Sequence, residues 1–162
     1  MKQIKKFLAL LLALFVVLSV SACGDDAAET SSPTNNLADF HAKVSECQEL
    51  LDTVADDIYS NWYDAIYKDK FNEDINTAIL MAQLDNAENI EQIEALDASI
   101  ATLFKLVKDT EHGDLVKDIM SAYSDYYEFV INVSGSFKSY SADKETLKKE
   151  LASLLRDLSY EI

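Results

Sequence analysis

One stripe of nine apolar residues constrains this chain more than any other feature in it. Leu37, Phe40, Val44, Cys47, Leu51, Val54, Ile58, Trp62 and Ile66 follow one another in steps of three and four. That spacing puts all nine on one face of a single helix of roughly eight turns. No proline occurs from residue 37 to the C-terminus, and only Gly113 and Gly135 punctuate the same stretch. A β-sandwich or barrel needs turn residues at short intervals. The periodicity and the missing breakers together predict an all-α fold. Asn36 followed by Asp39 reads as an N-terminal cap, which sets the first helix over residues 37–68.

The same period continues downstream. Ile75, Ile79 and Ala82 form a short stripe, and Ile90, Ile93, Leu96, Ile100, Phe104 and Val107 form a longer one. Between them, residues 84–89 are polar where the stripe should continue. Either one long helix carries a polar patch there or the chain breaks near residues 85–89, and the second reading is favoured. His112-Gly113-Asp114 reads as a stop and restart, with glycine at a helix C-terminus and Asp114 capping the next helix. That helix carries Leu115, Ile119, Ala122, Tyr126, Phe129 and Val133 on one face. Ser134-Gly135-Ser136 weakens it, a connection to about residue 142 is expected, and the last helix carries Leu147, Leu151, Leu154, Leu155 and Leu158. A chain of 162 residues is of one-domain length and can bury a core without staples. Long helices joined by short loops close as an antiparallel up-down bundle of four helices, or five with the break. No internal repeat suggests a solenoid.

The N-terminus is built differently. Lys2, Lys5 and Lys6 precede an apolar run over residues 7–20, followed by small residues. A basic start, a short apolar stretch and a small-residue end describe a secretory signal. The run is shorter than the roughly 20 residues of a membrane-spanning helix. Val20-Ser21-Ala22-Cys23 then resembles the lipobox of bacterial lipoproteins: an aliphatic residue, two small ones and a cysteine. In that family the thiol receives a diacylglyceryl group and a dedicated signal peptidase cuts just before it. The resemblance implies that Cys23 is the lipidated residue and the new N-terminus, bearing acyl chains such as palmitate. It also implies a protein held on the extracytoplasmic face of the cell membrane. Two or more chains, at about 0.8 kcal/mol per buried methylene, give a firm anchor.

Residues 1–22 are thus expected to be a signal peptide and residues 23–35 a lipidated cysteine with a flexible acidic tether. The helical domain is expected over residues 36–162. The tether has almost no hydrophobic content with which to offset the entropy of ordering. Removing the signal leaves 11 basic against 29 acidic side chains, a formal charge of −18. Such a body is repelled by an anionic membrane surface, so membrane attachment falls to Cys23. The acidic balance also argues against nucleic acid, whose phosphates need a basic footprint. Over residues 37–160 the chain further resembles small lipoproteins of Gram-positive bacteria. The likeness is carried by Trp62-Tyr63-Asp64-Ala65-Ile66-Tyr67, Phe71-Asn72 and Ser134-Gly135-Ser136-Phe137-Lys138-Ser139-Tyr140. It brings no activity with it.

Catalytic and metal-binding patterns are sparse. A di-iron bundle needs two Glu-x-x-His pairs; here His41 and His112 are the only histidines, and Asp109-x-x-His112 is a lone near-match. No calcium loop, nucleophile elbow or phosphate-binding loop occurs, so no metal and no cofactor are expected. Cys47 sits inside the apolar stripe, where a packed, unreactive thiol is expected. Carboxylate pairs such as Asp56/Asp57 and Glu73/Asp74 read as solvated helix surface.

The aromatic residues are the distinctive feature. Tyr59, Tyr63 and Tyr67 form a row beside Ile58, Trp62 and Ile66, while Tyr123, Tyr126, Tyr127 and Phe129 lie on a later helix, with Phe137 and Tyr140 beyond. Such rings either seal a thick bundle end or line a surface for a ligand or partner. The candidate surface is Trp62, Tyr59, Tyr63, Tyr67, Tyr123 and Tyr127. The expected function is a non-enzymatic, lipid-anchored interaction module that engages another envelope protein. The alternative is a small-ligand receptor with an aromatic pocket between the first helix and the one carrying Tyr123. An envelope hydrolase, suggested only by the abundant acids and tyrosines, ranks last.

Overall fold

The nine-residue stripe lies on one helix, α1 (Pro33–Tyr67), and eight of its nine members are buried; Ile66, in the last turn, is exposed. The structure, a computed structural model, describes residues 33–162. The expected signal peptide, Cys23 and most of the expected tether lie outside the described residues. The helix begins four residues earlier than the spacing predicts, because proline in a first turn has no N–H to lose and its fixed φ suits the helix. Asn36 is therefore inside the helix and does not cap it, and residues 33–35 belong to α1, not to the tether.

After α1 come a 3-10 turn (Lys70–Glu73), α2 (Ile75–Asp85), α3 (Ala87–Val107), α4 (Gly113–Ile131) and α5 (Phe137–Ser159). No strand occurs among the described residues. Side-chain bonds give the direction of each helix. Asn61 donates to the Ala78 carbonyl (3.3 Å) and Asn86 to Asp57 (2.8 Å), while Asp39 and Ala42 face Ser99, Thr102 and Leu103 across a groove. So α2 and α3 together run back along α1 as one arm, bent at Asn86. On α4, Tyr123 meets Cys47 and Tyr126 meets Asp52, so α4 runs parallel to α1. On α5, Tyr140 donates to the Ala55 carbonyl and His41 to the Leu155 carbonyl, so α5 descends again. The result is an up-down bundle of four arms, one of them broken in two, with α1 packed against every other helix.

The break at Asn86 is pinned. Asn86 is buried, its amide donates to Asp57 and to the Ala82 carbonyl (3.0 Å), and its side-chain oxygen accepts from Asn89 (2.7 Å). Two other boundaries differ from expectation. A capping box between Ser136 and Ser139 starts α5 at Phe137, five residues before the expected end of the connection. Gly113 opens α4 and does not close α3, and its φ is not positive. It is there for space: a Cβ would lie 2.3 Å from the Lys108 carbonyl oxygen.

The core runs the length of α1. Phe40, Val44, Leu51 and Ile58 are wholly buried against Ile93, Ile100, Ile119, Leu151 and Leu158. Ser31–Ile162 is a compact unit of its own and contains this entire core. No helix among the described residues is long and apolar enough to cross a membrane.

Candidate functional site

The end of α1 carries a continuous cluster of rings, and Phe137 is its hub. As the first residue of α5, Phe137 is delivered there by the Ser136 cap. Its ring lies 5.0 Å from Tyr59, 5.9 Å from Trp62, 6.2 Å from Tyr63 and 6.1 Å from Tyr67, centroid to centroid. Tyr63 and Tyr67 are 4.7 Å apart. Deeper in, Trp62 meets Tyr140 at 5.5 Å, Tyr140 stacks on Phe129 at 4.6 Å, and Phe129 stacks on Tyr126 at 6.4 Å. These are ordinary offset and edge-to-face spacings, worth about 0.5–1.5 kcal/mol per pair beyond area burial.

The cluster grades from core to surface. Trp62 and Tyr140 are buried and Tyr59 is half-buried, but Tyr63 is 38% exposed and Tyr67 61%. The Trp62 indole N–H is buried and has no hydrogen-bond partner. Two ammonium groups sit over the outer rings: Lys68 5.4 Å from the Tyr63 centroid and Lys144 4.8 Å from Tyr59. Lys144 is itself nearly buried and is tied to Asp56 on α1.

Asp64 organises the turn beyond the rings. Its carboxylate accepts from Lys68 (2.8 Å) and Lys70 (2.5 Å), and these two bonds hold it below the usual carboxylate range. Around it the backbone enters the left-handed region at Asp69, Phe71, Asn72 and Glu73. Such conformations are unusual for residues with a Cβ. Asp74 then caps α2, accepting from the backbone N–H groups of Asn76 and Thr77 and from the Thr77 hydroxyl.

The six residues singled out by sequence do not form one surface. Tyr59, Trp62, Tyr63 and Tyr67 come together. Tyr123 meets α1 at Cys47, fifteen residues before Trp62, a distance of roughly 22 Å along the helix. There Tyr123 is buried, and its hydroxyl donates to Asp97 (3.0 Å) while accepting from the Cys47 thiol (3.6 Å). Tyr127, half-buried, lies beside Tyr123 at 6.1 Å. Burial raises the Tyr123 hydroxyl and pushes the Cys47 thiol up to about 11, so this node is a packed polar contact and not a poised nucleophile. Tyr126 is likewise buried, donating to Asp52 (2.6 Å), which also accepts from Lys148 (2.9 Å).

Sequence reasoning missed the pivot at Phe137. A Ser-x-x-Ser cap signal before it was there to be read, but the nearby Gly135 suggested a loop. It also missed Asp64 and Lys144, charged residues that burial makes structural. Among the described residues no group of three or more His, Cys, Asp or Glu side chains is placed to hold a metal ion. No known protein family, curated protein or solved structure matches the chain.

Proposed function

We propose that this protein is a lipid-anchored, non-enzymatic interaction module on the extracytoplasmic face of the cell membrane, attached through Cys23. The observation that carries the reading is the exposed aromatic end of α1. Tyr63 and Tyr67 present rings to solvent while Phe137, itself packed against Trp62, braces them from behind. Aromatic side chains held rigid in this way give large contact area at low entropy cost, which is what partner surfaces use. At 1.5 Å per residue, the 35 residues of α1 separate these rings from Pro33 by roughly 50 Å. The rings thus stand at the end of α1 remote from the end that the expected tether joins.

The test is twofold. Cys23→Ala should move the protein from the membrane fraction to the soluble one, and a photo-crosslinker at residue 67 should trap one discrete envelope protein in intact cells. Trapping nothing, while the same crosslinker works in a control position, would sink the interaction reading. A second reading, a small-ligand receptor, draws on the buried Trp62 N–H that lacks a partner. It requires a compound that raises the melting temperature of the wild-type protein but not of Trp62→Phe.

A further inference from the structure

The strongest unexplained surface is not the aromatic end but α2. This helix turns mostly small residues inward: Ala78 and Ala82 are its buried members, with Ile79 half-buried against the core. Thr77, Leu80, Met81 and Leu84, spaced by three and four, share the opposite face. Leu80 is 55% exposed, Met81 39% and Leu84 57%. A helix that points alanines at its own core and leucines at water is patterned for a second contact.

The charge around this ridge is one-sided. Residues 71–104 contain seven Asp and Glu and not one Lys, Arg or His. The ridge and the acids meet at the bend, where Leu84, Asp85, Ala87, Glu88 and Asn89 line a concavity of about 390 Å³. The bonds of Asn86 to Asp57, Ala82 and Asn89 hold that bend in shape, so the concavity exists before anything enters it. Asp85, Glu88, Glu91 and Glu94 are all exposed.

We infer that the outer face of α2, with the acidic start of α3, is the docking site for a basic amphipathic helix of a partner protein. Resting on the interaction-module reading above, the inference adds which face is used and what chemistry fits it. An apolar ridge fits the apolar stripe of an incoming helix at i, i+3, i+4 and i+7, and the acids fit its Lys and Arg. Other occupants match less well. A second copy would bring the same acids against themselves, and an anionic membrane would be repelled. The chain's own residues 24–32 carry Asp25, Asp26 and Glu29 and no base.

The experiment uses Ser31–Ile162 and a fluorescent helical peptide of leucine and lysine patterned at that spacing, with a scrambled peptide of identical composition as control. Binding is read by anisotropy. The patterned peptide should bind at least roughly tenfold tighter than the scramble, a difference of about 1.4 kcal/mol. Leu80→Ser combined with Leu84→Ser should remove that difference while the circular dichroism and melting temperature stay unchanged. Raising salt from about 0.05 to 0.5 M should weaken binding severalfold. Equal binding of the two peptides, or equal binding to the double variant, overturns the α2 assignment. So does a wild-type dimer that the double variant abolishes, since the occupant is then a second copy. None of these results touches crosslinking from residue 67, which tests the module reading separately.

Discussion

Replacing Gly113 with alanine should loosen the joint between α3 and α4. Gly113 is buried, and a Cβ added there would sit 2.3 Å from the Lys108 carbonyl oxygen and 3.0 Å from its carbon. The pair would have to separate by about 0.7 Å to reach even the closest approach that Cβ atoms tolerate. The obstacle is backbone at the end of α3, so no side chain can swing aside. The same turn holds the Gly113 N–H on Thr110 and the Val116 N–H on His112. Overpacking of this kind costs about 1–3 kcal/mol, and a backbone partner puts it at the upper end. Alanine recovers up to about 1 kcal/mol through its better helix propensity. The net expectation is a loss of about 2 kcal/mol, or a fall in Tm of about 7 °C for a domain of this size. Thermal and urea unfolding of Ser31–Ile162, followed by far-UV circular dichroism, measure it. If glycine were there only to end a helix in the left-handed region, the conformation and not the space would matter. Gly135 supplies that contrast: its φ is +89°, and a Cβ there would meet no backbone, only the Ser139 hydroxyl at 2.9 Å. Gly135→Ala should cost about 1 kcal/mol through strain. A Gly113→Ala protein as stable as wild type, or more so, refutes the close-approach argument.

Three further outcomes follow from the buried polar contacts. The Cys47 thiol, raised to about 11 by burial and covered by Tyr123, should resist alkylation in the folded protein and react promptly in denaturant; peptide mass spectrometry at Cys47 reads both. Tyr126→Phe should cost about 2 kcal/mol, because a fully buried hydroxyl leaves Asp52 short of one charge-assisted bond; a neutral result in urea unfolding would show that water replaces it. The Asp64 carboxyl is depressed by its bonds from Lys68 and Lys70, so its folded value lies below its unfolded one. Its contribution is then complete at neutral pH and is lost as pH falls from about 5 through the folded value. Asp64→Asn should flatten the acid limb of a Tm-against-pH curve, and an unchanged limb would show that the two lysines do not hold the carboxylate in solution.

Much of the fold was legible before any coordinates. The stripe of α1, the stripe of α3 through Ile93, Leu96 and Ile100, and the break near Asn86 are where the spacing puts them. They were readable because a helix imposes a fixed period and a core accepts one face of it. The candidate site was only half legible. Sequence brings Tyr59, Trp62, Tyr63 and Tyr67 together, since they share one helix. It has no means of telling that Tyr123 and Tyr127 meet α1 some four turns away, because that depends on how far α4 slides along its neighbour. The short stripe of α2 was only partly right for a related reason. Ala82 is buried and Ile79 half-buried, but Ile75 is exposed, and only the packing shows how far the inward face of that helix extends.

The sequence by itself determined that the body is helical, roughly where its helices lie, and that it is strongly acidic. Local backbone preference, side-chain period and net charge are properties of neighbours along the chain or of the chain as a whole. Tertiary structure alone decided that Phe137 joins the α1 tyrosines, that Lys144 and Asp64 are buried, and that α2 turns leucines outward. Those facts depend on the register between helices distant in sequence. Register is set by the joint fit of many side chains, and no local pattern records it.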